Sequence, residues 1–295
     1  MQLTDWLFGT YNGIATGMAT FLVAAGLTWI FGILKILNMA HGHFFMIGVY
    51  VAFAIVGRGA ASLPQYLAGA LAAAAVVGVL GWLTDRLLLE RLRRVDYHYV
   101  LIGTFALVMC IEGAVRLIFG GNVHTVDPPP ALQGPLQIGE LFIPRFTIFV
   151  IVVGLALFVL LDHLIHRTRL GKVMQSVAAD PWMAEMLGVN VPALLRWSVV
   201  ASFALAGLAG GLLAPLQTVD LGIGGSYLLL AFFAVIIGGL GNVRGAFLAS
   251  LLLGLVQNLG NLLLPDWPGF SIYVALAAFL VWRPNGIFPP QGVRA

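Results

Sequence analysis

The sequence predicts an all-α integral membrane protein, a polytopic bundle of eight or nine transmembrane helices with the N-terminus outside. Three observations predict it. First, hydrophobic residues make up 60% of the 295-residue chain and charged residues 9%, with a mean hydropathy of +0.99. Soluble domains run at roughly half apolar and about a quarter charged. Second, the apolar residues form long runs without period-2 alternation, which argues for helices over strands, and an open sheet cannot cross lipid. Third, twelve of the 15 basic residues fall on one side of those runs: Lys35, Arg86, Arg91, Arg93, Arg94, Arg167, Arg169, Lys172, Arg196, Arg244, Arg283 and Arg294. Arg58, Arg116 and Arg145 do not. Basic side chains collect in cytoplasmic loops, so the orientation is readable.

A span needs about 20 apolar residues at a rise of 1.5 Å each. In order, the candidates are about 12–33, 38–57, 65–85, 97–119, 146–165, 194–216, 226–240, 245–263 and 270–282, in a single transmembrane domain covering 1–295. The seventh and ninth are short enough to be tilted, broken or re-entrant. Placing 86–96 and 166–193 inside puts the C-terminus inside if all nine cross. An eight-span arrangement would move Arg244 or Arg283 outside, and that charge penalty favours nine. Tryptophans agree with an aromatic belt: Trp29, Trp82, Trp197 and Trp282 lie near inner ends, Trp6 and Trp267 near outer ends. The N-terminal MQLTDW lacks a basic n-region, so the first run is expected to be a retained helix. The single Cys110 excludes an intrachain disulfide, and 36 glycines suit close helix approach in a membrane. The net charge of +3 belongs to inner loops and marks no nucleic-acid surface.

The outer loop 120–145 carries Pro128, Pro129 and Pro130 with Asp127 and Glu140. It is a stiff connector or a docking surface. The inner loop 166–193 contains AADPWMAEMLGVN (178–190), which predicts a short cytoplasmic helix between spans five and six. Asp180 suits the N-cap, Pro181 the first helical position, and Gly188 the stop. Trp182, Met183, Met186 and Leu187 give it an apolar face. That face can lie in the membrane interface or enter a groove on a cytoplasmic partner.

This loop and the following SFALAGLAGGLLAP (202–215) resemble the coupling region of bacterial ABC-importer permeases. LNMAHGHFFMIG (37–48) and GGLGNVRGAFLASLLLGLVQ (238–257) resemble signatures of branched-chain amino-acid permeases of the LivH type. The order and spacing fit along essentially the whole chain. The resemblance implies a permease subunit in the bacterial inner membrane, working by alternating access. It also implies a second related permease in a heterodimer, two cytoplasmic ATPases holding ATP and Mg, and a periplasmic solute-binding protein. Asp180, Pro181, Trp182, Met183, Glu185, Met186, Leu187 and Gly188 would couple to the ATPase. The solute would be a branched-chain or other small amino acid, with urea, short amides or aromatic acids as alternatives. The chain itself has no Walker A pattern, metal-ligand cluster or nucleophile elbow, and is expected to be neither an enzyme nor a cofactor binder.

Several other residues stand out. Asn38, His41, Gly42 and His43 open the second span, where free N–H groups suit a carboxylate. They serve a translocation path, or are simply interfacial caps and packing contacts. Asn242, also expected on the translocation path, sits in a glycine-rich turn of similar pattern, hinting at an internal repeat. His163 and His166 read as solvated interfacial side chains. Glu112 and Arg116, i,i+4 in the fourth span, are expected to form a structural ion pair. Gly13 with Gly17, and Gly207 with Gly211, form GxxxG helix-contact faces. A stand-alone channel or secondary transporter is the alternative class, with Glu112 as its one intramembrane carboxylate. An intramembrane enzyme would need a Ser–His pair at matching depth, and none is evident.

Overall fold

The computed structural model describes residues 3–57, 59, 61–93, 95–138, 141–283 and 286–288. Of the positions singled out above, Arg58, Arg94, Glu140 and Arg294 lie outside the described residues.

Among the described residues, nine apolar helices follow one another: α1 (Leu3–Leu34), α2 (His41–Val56), α3 (Leu63–Thr84), α5 (Tyr97–Phe119), α6 (Arg145–Arg167), α9 (Val191–Leu213), α10 (Ile223–Gly238), α11 (Val243–Leu263) and α12 (Phe270–Trp282). By length and composition, six are long and apolar enough to cross a bilayer, and α2, α10 and α12 are shorter. A π turn over Asp85–Leu89 and the single turn α4 (Glu90–Leu92) prolong α3. The stretch after residue 85, expected as loop, is therefore helical to Leu92.

Other expectations need correction. α1 begins at Leu3, well before residue 12, because Thr4, Asp5, Thr10 and Asn12 interrupt the apolar pattern without breaking the helix. The 166–193 loop holds two helices: α7 (Arg169–Ala179) and α8 (Pro181–Met186). α7 was invisible as a span because it is strongly amphipathic. It buries Gly171, Met174 and Val177 and turns its basic side chains outward. The 120–145 loop is not irregular throughout, so the all-α description is incomplete. β1 (Pro135–Ile138) and β2 (Leu141–Pro144) pair antiparallel, with Leu136 opposite Ile143.

Contacts between helix ends distant in sequence define two ends of the bundle. At one, Arg244 of α11 pairs with Asp162 of α6, and Arg196 of α9 pairs with Glu90. There Gly32 of α1 also meets Gly241 in the α10–α11 turn. This is the end where the basic side chains gather. At the other, His124 bridges Val219 and Tyr11 donates to the Pro144 carbonyl.

The core is α1, α2, α3 and α9, flanked by α10 and α11. In lipid, apolar burial does not drive helices together; close packing of small residues does. Gly13 and Gly17 of α1 lie against Leu255 and Leu251 of α11. Gly207 of α9 meets Ala73 and Val77 of α3 on one side and Gly48 of α2 on the other, and Gly211 meets Ala70. Aromatic stacks add to both layers, measured between ring centroids. Phe158 of α6 lies 4.0 Å from Phe247 of α11, and Phe44 of α2 lies 4.0 Å from Phe203 of α9.

Candidate functional site

Two places at the basic end bring predicted residues together. The first is α8. The Asp180 carboxylate accepts from the Met183 N–H at 3.0 Å, and Pro181 opens the helix, where its missing N–H costs nothing. Gly188 takes φ +86°, its N–H reaching the Glu185 carbonyl while the Val189 N–H reaches that of Ala184. Those two bonds form a Schellman stop, and its left-handed position favours glycine. Asn190 then caps α9 by accepting from the Ala193 N–H at 3.1 Å. α8, about a turn and a half long, is thus closed by a side-chain cap at its start and a glycine turn at its end, with the α9 cap directly after it. Ala184 faces inward with Val177 and Val191. Trp182, Met186 and Leu187 are 67%, 69% and 78% exposed, and Met183 and Glu185 are exposed beside them. So the chain fixes a bulky apolar face and leaves it uncovered.

The second place is the start of α2. Asn38, His41 and His43 are all buried. The Asn38 side chain accepts from the Ala40 N–H at 3.0 Å, a turn just ahead of the helix, and the helical N-cap position falls to Ala40. His41 reaches the Val23 carbonyl of α1 through Nε2 at 3.2 Å, its ring beside Gly26 and Phe203. Asn38 Nδ2, His41 Nδ1 and His43 Nδ1 are buried without a partner. Gly42 packs on Gly224 so closely that an added Cβ would overlap the Gly224 carbonyl oxygen.

His43 also overturns one expectation. Its Nε2 lies 2.8 Å from the Glu112 carboxylate, so Glu112 pairs across to α2 and not along α5 with Arg116. Spacing alone permits the i,i+4 pair. The nearly buried imidazole has greater need of the carboxylate than the exposed Arg116. The bond is one of few ties holding α5, which otherwise leans on α2 through Tyr50 and Phe119. Beside it an apolar cavity of about 390 Å³ opens between α2, α3 and α5, lined by Phe44, Tyr50, Leu80, Leu107, Cys110 and Ile118 among others.

Asn242 lies apart from this cluster, capping α11 by accepting from the Gly245 N–H at 3.0 Å. There Gly245 meets the Gly238 carbonyl, with no room for a Cβ. His166 pairs with Asp162, which also holds Arg244. Just before α5, the exposed Asp96 carboxyl lies below the usual carboxylate range, because the His98 backbone N–H and then its ring donate to it.

A family model described as branched-chain amino acid transport system, permease component, matches residues 9–281. The chain belongs to this family. It is 30% identical to the high-affinity branched-chain amino acid transport system permease protein BraD of Pseudomonas aeruginosa, over 97% of this chain and 96% of that one. It is 28% identical to the permease protein LivH of the corresponding Escherichia coli K12 system, again over 97% and 96%. Identity is 25% to a probable branched-chain amino acid transport permease protein LivH of Methanocaldococcus jannaschii, covering 92% and 87%. No solved structure matches the chain. The family is one of transport permeases, and the six described helices long and apolar enough to cross a bilayer are consistent with a multi-pass membrane protein.

Two features of this site were not foreseen. The His43–Glu112 bond joins residues 69 apart, and no local pattern announces it. Asp85, at the end of the third expected span, carried no expectation, yet its side chain is fully buried.

Proposed function

We propose that the chain is the transmembrane permease subunit of an ATP-driven ABC importer for branched-chain or other small amino acids. It sits in the bacterial inner membrane with the basic end of the bundle in the cytoplasm and the N-terminus outside. A second, related permease completes the path. Two cytoplasmic ATPase subunits, which hold ATP and Mg, supply the energy, and a periplasmic binding protein delivers the solute. Family membership supports the class, and the names of the relatives support the solute.

The observation that carries the mechanism is the uncovered apolar face of α8, set rigidly between α7 and α9 at the basic end. A short helix capped at both ends cannot absorb a push by bending or fraying. Displacement of α8 by an ATPase subunit passes to α9 through the Asn190 cap, and from α9 to α2 and α3 through glycine contacts. The buried start of α2, with three unpartnered polar nitrogens, then lies where the path opens to the cytoplasm. Unpaired buried polar groups are costly, so this arrangement suits a closed state that gains water or solute when the helices part.

The test is reconstitution of the complete complex in liposomes, with uptake of L-leucine and ATP hydrolysis measured together. ATP-dependent accumulation that needs the binding protein is expected. Uptake driven by a proton or sodium gradient, with no ATPase subunit present, would replace this reading with a secondary transporter.

A further inference from the structure

The structure assigns to Arg196 a positioning role: it clamps the first turns of α9 to the end of α3, so that the two move as one lever when α8 is pushed. This rests on the function proposed above.

The argument begins with the π turn. In an α-helix, positions five apart point about 140° away from each other at 3.6 residues per turn. Asp85 and Glu90 would then face different ways. In this chain the Glu90 N–H bonds to the Asp85 carbonyl, an i→i+5 closure that winds the segment more loosely. The two carboxylates thereby come round to one guanidinium. Arg196 donates from Nη2 to Glu90 Oε2 at 2.9 Å, while its Nε lies 3.5 Å from Asp85 Oδ2. Isolated π turns are frequent at functional sites in helices.

The burial is as informative as the geometry. The Asp85 side chain is fully buried, and Arg93 contacts its other oxygen. A buried carboxylate persists only with partners close by. Two acids and two guanidiniums make the cluster neutral, so it survives at the end of a membrane helix. One link is slack: Asp85 Oδ2, Arg93 Nε and Arg196 Nε lack hydrogen-bond partners. Arg196 is thus tied more closely to Glu90, at 2.9 Å, than to Asp85, at 3.5 Å.

Location gives the cluster its purpose. Arg196 sits six residues after the Asn190 cap, directly downstream of α8. Further along the same two helices, Gly81 packs on Phe203, Gly207 on Val77 and Gly211 on Ala70. Glycine contacts hold α3 to α9 in the middle and at the far end. The ionic cluster holds them where force enters, and without it the first turns of α9 could swing alone.

The experiment compares five complexes in liposomes: wild type, Arg196→Glu, Glu90→Arg, the double reversal and the conservative variant Arg196→Lys. Each is read for L-leucine taken up per ATP hydrolysed. Arg196→Glu should lower that ratio tenfold or more while hydrolysis continues, the double reversal should recover at least a third of it, and Arg196→Lys should stay within about threefold of wild type. A wild-type ratio in Arg196→Glu, a double variant no better than the single, or a parallel fall of uptake and hydrolysis would overturn the clamp. A second readout, independent of transport, is the thermal unfolding midpoint of the detergent-purified chain. The midpoint should drop in Arg196→Glu and return in the double reversal; no return overturns the contact itself. If the wild-type complex takes up no leucine, the proposed substrate fails, and the midpoint series still decides the clamp.

Discussion

Two short stretches at the same end of the bundle are built in opposite ways. At α8, every backbone end is capped, by Asp180 before it and the Gly188 turn after it, and the apolar side chains are left outside. At the start of α2, the side chains are enclosed, and polar atoms of Asn38, His41 and His43 are left without partners. The first is capped with its apolar side chains turned outward, which suits contact with another protein. The second is closed with polar groups turned inward, which suits something that enters. Substitutions should therefore fail differently in the two places, and that difference can be measured.

The largest effect belongs to Gly42. A leucine there must displace the Gly224 backbone, and overpacking of this kind costs on the order of 1–3 kcal/mol or more. Gly42→Leu should leave little monodisperse protein on gel filtration, and normal recovery would show that α2 and α10 are less tightly apposed than described. Next is Trp182→Asp. Because Trp182 is 67% exposed, its loss should leave the thermal midpoint nearly unchanged, within about 0.5 kcal/mol in stability terms. Uptake should still fall tenfold or more, with hydrolysis uncoupled, and Met186→Asp should behave alike. A variant that couples normally would remove α8 from the mechanism.

A smaller effect is expected at Asp180. Replacing it by alanine removes the bond to the Met183 N–H, worth about 1 kcal/mol, and should lower uptake severalfold without abolishing it. Asp180→Asn should restore most of the loss, since an amide oxygen still caps; equal defects in both would point to charge instead of rigidity. Smallest is Glu112→Gln. The amide oxygen can still accept from the His43 ring, so uptake should stay within about threefold of wild type. A dead transporter would mean that the carboxylate charge itself is required, and would turn attention to a proton-coupled mechanism.

How much was legible in the sequence follows the range of the interaction. α5 and α12 begin and end where the sequence puts them, at 97–119 and 270–282, because their limits are local: the Asp96 cap and Gly120 for one, Gly269 and Arg283 for the other. The limits of α8 were equally local, in one N-cap, one proline and one glycine. α7 was missed because its signal is amphipathic, and a reading tuned to continuous apolar runs passes over it. The Glu112–Arg116 pairing was the natural choice within one helix, yet the carboxylate goes to His43 on another. Asp85 was hidden for a different reason. It sits among arginines that look solvated, and only the π turn and the return of α9 enclose it. Local capping and apolar length can be read from residues in a row, whereas polar pairs between helices depend on packing that no single segment encodes.

The measurement that bears most directly on the account is a photo-crosslink from α8. A benzophenone side chain placed at position 186 in the intact membrane complex should, on illumination, yield an adduct whose added mass is that of the cytoplasmic ATP-hydrolysing subunit. The same group at position 160, on an exposed apolar face of α6, should not. Adducts to lipid alone from position 186 would contradict the account, because they would place the uncovered face of α8 in the membrane surface and not against a partner.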